Sequence, residues 1–593
     1  MVALSAVERR LVDAVTAGEQ LDLRTAEERE IRAGLVRDVL LGAHGRVDAR
    51  GLQLRGATLT GTLDLDGLHT TARVRLRDCV LPTGAVLRGA ALPMLDLGGC
   101  TVSGLLADDL VVDGSVLLWR GFTANGLVSF VGARIGGKLD LTHARLAGGS
   151  GGAALVADRI TLGGDLLLDD AVGTGGAVAG TLQLVGARVA GRLSARRIWL
   201  TNPAGPGLNA ANLHVTDMVD LSRGIEVHGA GPDGAVRLVG ARVGSMSLGR
   251  ARLENPSGWA LSAHYLDVGG TLYLDRITAV GGLRLSGSRV GGQIDLHETE
   301  VDGGERSAIA GLRLQVAQGV LLDGARLTAA GTDPTLNLRS TRIAGDLEMR
   351  GTRVSHPSGT AIRLNTATVE GRVAMSETEI ESGELDLRDS SVGTLYDDPA
   401  RAKGAVEVNG LTYRGMPGHP GVTVEQRLRW LERMPAYAAQ PYRQLSAAYQ
   451  GAGHEDEARR VLVAQQSHLH RTLTGWSRTR HRWFGLTLQY GYQPGRAVAL
   501  LIAVLGVAIG LFLSLGGGTQ LPAGGPCPVV DRVGLAVDAA IPLVSTGAAD
   551  RCQLATATGA GQALAAAGWI LTLLGWASAT LVVAGYSGWV RRR

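Results

Sequence analysis

Lysine is nearly absent from this sequence. Lys138 and Lys403 are the only two, so arginine supplies almost all of the 59 positive charges among 593 residues. The 55 acidic residues balance these charges to a formal net charge of +4. A chain so balanced has no excess charge to attract nucleic acid, and we predict no nucleic-acid partner. The arginine bias itself indicates the codon usage of a GC-rich bacterial genome.

Cysteine and apolar leader sequence are also scarce. Cys79, Cys100, Cys527 and Cys552 are the only cysteines, too few for a fold built on disulfides. The first residues contain no apolar run of signal-peptide length, so we expect the N-terminal part of the chain to stay in the cytoplasm.

Motifs for catalysis or cofactor binding are missing as well. The segment 229–234 matches GxGxxG, but strand-like residues follow it instead of the helix that a dinucleotide site requires. The sequence therefore predicts no catalytic residue, no cofactor site and no metal site.

Glycine, in contrast, is abundant, with 86 residues, and much of it belongs to an internal repeat. In the clearest unit, 283–296, we take Val290 as position zero. Apolar or small residues then fall at positions −7, −5, −2, 0, +4 and +6. The other zero positions are Leu59, Leu81, Val102, Val112, Ile135, Leu162, Val189, Val215, Val243 (shifted by one), Val268, Val316, Ile343, Val369 and Val392. Such regular self-similarity is typical of a repeat architecture.

Alternation within each unit indicates strands. Pairs such as Leu139 and Leu141 are two residues apart, so they point to one face of a strand. A further apolar residue near +11 gives about three strands per unit, which is one coil of a solenoid. We therefore predict a mainly β fold, a parallel β-helix of about 14 coils over residues 47–396. The step of five residues through Leu238, Val243, Leu248 and Leu253 resembles pentapeptide-repeat and right-handed β-helix proteins.

Over part of the rod, arginine recurs at position −1 in every second coil, which predicts a row on the outer surface. The row consists of Arg134, Arg188, Arg242, Arg289 and Arg342. A second outward row, at +5, is acidic and consists of Asp64, Asp140, Asp220, Asp295 and Glu348. Two interpretations remain open at this point: a charged binding face, or a solvated surface that keeps the rod soluble.

Helical segments flank the predicted solenoid. Residues 1–46 are predicted to cap its N-terminal end with helices at about 5–16 and 25–41, because Ser5 with Glu8 and Thr25 with Glu28 fit the capping box. After the repeat we predict a linker over 397–421 and a helical region over 422–475. The spacing of Leu445, Tyr449, Gly453 and Ala458 in that region resembles a tetratricopeptide-type hairpin.

Residues 476–593 are predicted to form a membrane domain. A basic and aromatic segment, 476–496, precedes an apolar run at 497–516, and a second run at 563–589 precedes three arginines. Both runs are long enough to span a bilayer, and the basic flanks predict that both chain ends are cytoplasmic.

The loop 517–561 would then lie outside the cell. It contains the pair Cys527 and Cys552, for which we predict a disulfide in that oxidising compartment. The loop also contains a short apolar stretch, Val533–Val544, predicted to be interfacial or re-entrant. Gly506 and Gly510 form a GxxxG motif, which predicts a homo-oligomer formed through that helix face.

The layout of solenoid, hairpin and two spans resembles a group of actinobacterial-type membrane proteins that are often labelled membrane-associated oxidoreductases. That resemblance implies a redox activity in the cell membrane. The residues themselves favour a non-enzymatic scaffold or sensor, anchored in the bacterial cell membrane by two spans and binding a protein partner. A third expectation is a channel-like effector whose spans surround a pore.

Overall fold

The computed structural model describes residues 3–148, 152–171, 178–416, 421–472, 495–541 and 543–590. The chain divides into two compact units, Met1–Pro435 and Ala436–Arg593. The first unit is a parallel β-solenoid of about 14 turns, which confirms the predicted architecture.

The solenoid has four faces, and a typical coil carries one short strand on each, although in some coils one strand, such as Arg252–Ser262, spans two faces. In one coil these are Ile309–Ala310 on face 1, Gln315–Val316 on face 2, Val320–Leu321 on face 3 and Arg326–Thr328 on face 4. The sequence predicts only about three strands per coil. The apolar residues at −7 and −5 and the residue at position zero look like parts of a single strand. A corner separates them: Arg313 there has a φ of 55°, a left-handed conformation in which the strand turns onto the next face.

The core is formed by inward-facing side chains that stack from coil to coil along the axis of the solenoid. Leu139, Leu141, Val290 and Leu296 are at most 2% exposed, which confirms their predicted inward direction. Every strand of the solenoid pairs in parallel with strands of the neighbouring coils, as in Val290 with Val316. The backbone is thereby satisfied between coils, and each coil contacts only its neighbours.

The predicted repeat changes face once. Leu59, Leu81 and Val102 lie in paired strands of face 4, whereas the zero positions from Val112 onward lie on face 2. The step between Val102 and Val112 is short because the chain travels only part of the way around one coil between them. The apolar pattern is nearly the same on both faces, so the sequence does not distinguish them.

Two helices, Ala6–Ala17 and Ala33–Leu40, flank the first coil. The capping box of Ser5 and Glu8 is present as predicted. The second helix begins at Ala33, and not near residue 25, because Glu30–Arg32 forms a strand.

That strand pairs with Thr58–Thr60 and buries Ile31 in the solenoid core. A second early strand, Leu21–Asp22, pairs with the chain at Leu54 and Arg55. The first coil thus begins inside the range predicted as a helical cap.

The solenoid also extends beyond its predicted end. Strands Val406–Glu407 and Thr412–Gly415, within the range predicted as a linker, continue faces 1 and 2. Helix Val424–Leu431 then lies against the last coil, where Arg427 Nη1 donates to Asp397 Oδ2 at 2.6 Å. Both side chains are buried, and burial raises the pKa of the Asp397 carboxyl while Arg427 opposes that rise.

The second unit begins with a hairpin of helices Ala439–Gly451 and Glu455–Thr472. Its interface buries Tyr442, Leu445 and Val461, and the Tyr442 hydroxyl lies 2.6 Å from Nδ1 of His468. The predicted basic and aromatic segment lies outside the described residues except at its last two positions.

Two apolar helices follow in the same unit, Gly495–Ser514 and Gly559–Val590. Within the described chain, Gly559–Val583 is the one helix that is long and apolar enough to cross a membrane. The apolar part of the other helix, Val498–Ser514, is shorter, so the predicted second span rests on the sequence alone.

The connection between these helices is folded against them. Helix Val529–Ala540 covers most of the predicted interfacial stretch and contributes Ala536 and Ala540 to a common core. Phe512 and Leu564, from the two apolar helices, belong to the same core. Short strands Thr519–Gln520 and Gln553–Leu554 pair in an antiparallel ladder beside it.

Candidate functional site

The five arginines of the predicted row lie in one ladder on face 2. Each is the first residue of its strand or strand segment, directly before the inward residue of the template. The strands that carry the ladder are Arg134–Ile135, Thr161–Leu162, Arg188–Val189, His214–Asp220, Arg242–Ser247, Asp267–Val268, Arg289–Val290, Gln315–Val316 and Arg342–Ile343. We call this surface the arginine ladder.

The rungs alternate strictly between arginine and another residue. Paired neighbours run from Arg134 to Thr161 and then to Arg188, and the same alternation continues to Arg342. Adjacent strands are about 4.8 Å apart, so successive arginines are about 9.6 Å apart along the axis.

The guanidinium groups of the ladder are exposed and unpaired. All five arginines are exposed, and within the described part of the chain none has an ion-pair or side-chain hydrogen-bond partner. Arginine offers five donors in a planar fork that fits carboxylates and phosphates. The ladder therefore presents unused anion-binding capacity at a regular interval.

The acidic row behaves differently. Asp140 is buried on face 3 and accepts a bond of 2.9 Å from Lys138. Burial opposes ionisation of Asp140, but the bonds from Lys138 and Thr142 outweigh it and lower its pKa. Glu348 likewise pairs with Arg372 at 2.9 Å. These two acids are thus held by side chains of the solenoid itself. Asp64 lies on face 1, not face 3.

A shallow cavity of about 590 Å³ lies beside the ladder. Arg289, Gln315 and Arg342 line one side of it. Asp267, Glu370 and small residues such as Gly269 and Gly291, which follow the inward position, also line it. A Cβ at Gly291 would lie 2.2 Å from the carbonyl oxygen of Gly269, so only glycine allows the two coils to approach there. The side chains of Arg289 and Arg342 are exposed beside these small residues.

The sequence prediction overlooked the spacer rungs. Thr161, His214, Asp267 and Gln315 occupy the same outward position in the intervening coils. These residues could have been predicted from the sequence, because each stands directly before the zero position of its repeat unit. Thr161, His214 and Gln315 are polar, whereas Asp267 places one acid between Arg242 and Arg289.

The remaining predicted site residues lie in the second unit. Cys527 and Cys552 are joined as a disulfide, with their Cα atoms 6.1 Å apart. Cys79 and Cys100, in the first unit, are free and buried in adjacent coils, and the residues that follow them, Val80 and Thr101, pair directly. Gly506 and Gly510 are exposed, and a Cβ at either would meet no atom within 4 Å. Oligomerisation through them stays a prediction.

Comparison with family models, with curated proteins and with solved structures gave no match to this chain. The oxidoreductase label implied by the layout therefore gains no support from a relative. Among the described residues, no group of three or more His, Cys, Asp or Glu side chains is placed to hold a metal ion.

Proposed function

We propose that the protein is a non-enzymatic scaffold: a β-solenoid anchored to the bacterial cell membrane that holds an acidic protein partner on its arginine ladder. The observation that carries this proposal is the set of exposed, unpaired arginines in alternate rungs of one face. The acids of Asp140 and Glu348, by contrast, are already paired within the solenoid. Unsatisfied charge of one sign on a rigid surface favours an external partner of opposite charge.

The ladder suits a protein partner better than a nucleic acid. Its arginines follow a straight axis at about 9.6 Å, with polar rungs between them. Asp267 interrupts the positive charge, which would repel a continuous phosphate backbone at that point. A protein surface can place carboxylates opposite the arginines and a donor opposite Asp267.

Membrane anchoring is the second part of the proposal. Helix Gly559–Val583 has the length and composition of a span, and we propose that Val498–Ser514, with its preceding residues, forms the other. The disulfide of Cys527 and Cys552 supports an external position for the connection between them, because disulfides persist in oxidising compartments. Both chain ends would then be cytoplasmic.

Affinity capture of the tagged full chain tests the partner. Cells producing wild-type protein are compared with cells producing Arg242→Gln/Arg289→Gln. The matched control is Arg326→Gln/Arg353→Gln on face 4, where each arginine faces a glutamate. We expect the ladder variant to retain about tenfold less of an acidic protein, and the control to retain as much as wild type. Equal retention in both variants, or capture that nuclease treatment abolishes, contradicts the proposal.

A further inference from the structure

A second cationic surface lies on face 1, around Trp259. It is a cavity of about 610 Å³ that extends over four consecutive strands, Arg252–Ser262, Thr278–Arg284, Ile309–Ala310 and Leu336–Asn337. Three inter-strand steps make it about 14 Å long. Its volume falls within the range of about 300–1,000 Å³ that is typical of small-molecule sites.

Arginines dominate the charge of this cavity. Arg284, Arg306, Arg313 and Arg339 line it, against one acid, Asp333. Within the described residues none of the four guanidinium groups has an ion-pair or hydrogen-bond partner. Four unpaired guanidinium groups lining one cavity repel each other, so an anion bound there would offset that repulsion.

Trp259 positions two of these arginines. The residue is 8% exposed, and the Cζ atoms of Arg284 and Arg306 lie 5.7 and 5.4 Å from the centroid of its ring. Stacking on an aromatic face restricts a guanidinium group while leaving its N–H edge free to donate. The indole thus holds two donors in place before any ligand arrives.

Tyr265 supplies an exposed ring at the opposite corner of the cavity. Its side chain is 68% exposed, although its backbone has a φ of 58°, which an aromatic residue adopts at a cost. Gly240 and Gly287 occupy the equivalent corner of the neighbouring coils. A Cβ at Gly287 would lie 2.7 Å from the Tyr265 ring, so the missing side chain makes room for that ring.

The positive field of the cavity also acts on His264. Burial lowers the pKa of this imidazole, and the charges of Arg284 and Arg237 lower it further, while Asp233 opposes them. The lowered pKa disfavours the protonated form of His264, so the positive charge of the site comes mainly from the arginines.

We infer that this cavity binds a small molecule that carries a ring and at least two anionic groups. The arginines bind the anionic groups through bidentate contacts, and the ring stacks on Tyr265. Nucleoside polyphosphates and acidic oligosaccharides share this chemistry. The site is separate from the arginine ladder, so it adds a ligand-sensing function to the scaffold without depending on the protein partner.

Isothermal titration calorimetry of the full chain in detergent tests the inference. The probes are ATP, ADP, a trimer of galacturonic acid and inorganic pyrophosphate. We expect either the nucleotides or the acidic trimer to bind, which distinguishes the two sources, and pyrophosphate to bind at least about tenfold more weakly because it has no ring. Absence of binding by all four probes, or pyrophosphate binding as tightly as the best probe, overturns the inference.

Variants assign the binding to the cavity. Arg284→Gln/Arg339→Gln should weaken binding by about tenfold or more. Tyr265→Gly should weaken it while keeping the melting temperature at or above that of wild type, since glycine adopts this φ without strain. Arg289→Gln/Arg342→Gln, on the arginine ladder, is the matched control and should bind as wild type does. Equal weakening by the cavity and ladder pairs, or by neither, contradicts the assignment.

Discussion

At the scale of single residues, the direction of a side chain decides what its loss costs. Leu296 is 2% exposed in the core, whereas Arg289, one position before the inward Val290, lies in solvent. We expect Leu296→Ala to destabilise the solenoid by about 2–5 kcal/mol, through lost burial and a cavity. Arg289→Ala should change the stability by less than about 0.5 kcal/mol. Thermal melts of the full chain, followed by the β-sheet signal, compare them. Similar losses for both would show that the register is wrong.

Glu8 gives the N-terminal helix a distinct acid response. Its carboxylate is buried, and the bond from Arg32, at 2.7 Å, lowers its pKa from 4.5 to about 2. A lowered pKa stabilises the fold fully above about pH 4.5, and that contribution disappears as the pH falls from 4.5 towards 2. The helix end, with its capping box, should therefore loosen in this window.

Glu8→Gln tests that response. We expect a loss of about 1.5–3 kcal/mol at pH 7, because the charged bond is replaced by a weaker neutral one. Between pH 4.5 and 2 the difference from wild type should shrink, and the two proteins should converge. Hydrogen exchange of residues 6–17 at several pH values measures it. A difference that stays constant down to pH 2 contradicts the assigned cause.

At the scale of elements, the ends of the solenoid depend on contacts that the repeat lacks. Helix Val424–Leu431 is held to the last coil by the buried pair Arg427 and Asp397. Arg427→Ala would leave a buried, unpaired carboxyl, so we expect a loss of about 3–5 kcal/mol. Arg429→Ala, on the exposed side of the same helix, is the control and should be nearly neutral. Limited proteolysis around residues 416–435 reports the release of the helix; equal protection of both variants would contradict its role as a cap.

The same elements show which parts of the fold could be predicted from the sequence. The coil count and the inward positions follow from apolar residues two apart, because a strand alternates its faces. The corners do not follow, since residues as different as Arg313 and Tyr265 occupy, in some coils, the left-handed position that glycine occupies in others. Strand Glu30–Arg32 was not predicted, because Ile31 is its only buried residue and a single apolar position shows no alternation.

The two candidate surfaces differ in the same way. The arginine ladder was predictable because its members share one template position. The cavity around Trp259 was not, since Arg284, Arg306 and Arg339 come from different positions in three different coils. Only the parallel stacking of the coils brings them together.

At the scale of the whole molecule, the proposed topology predicts two redox environments. Cys527 and Cys552 are bonded, whereas Cys79 and Cys100 are free. We expect unreduced peptide mapping of protein from intact membranes to find the Cys527–Cys552 bridge and two thiols in the solenoid.

Reduction should have a local effect on the second unit only. Opening the bridge removes a constraint on a loop of 25 residues, worth roughly 3–4 kcal/mol by loop closure. Helix Val529–Ala540 should then exchange faster, while the solenoid coils are unchanged. Thiols at 527 and 552 that react with a reagent from the cytoplasmic side alone would invert the proposed topology.

The central claim, that the arginine ladder is the partner-binding face, is tested most directly by site-specific photo-crosslinking in cells. A photoreactive residue replaces Gln315, between the rungs of Arg289 and Arg342, or Thr278, which is also an exposed strand position but lies on face 4. We predict a discrete protein adduct from position 315, lost when Arg289 and Arg342 are both changed to glutamate, and none from position 278. An equal adduct from both positions, or an adduct from 315 that survives the charge reversal, would contradict the account.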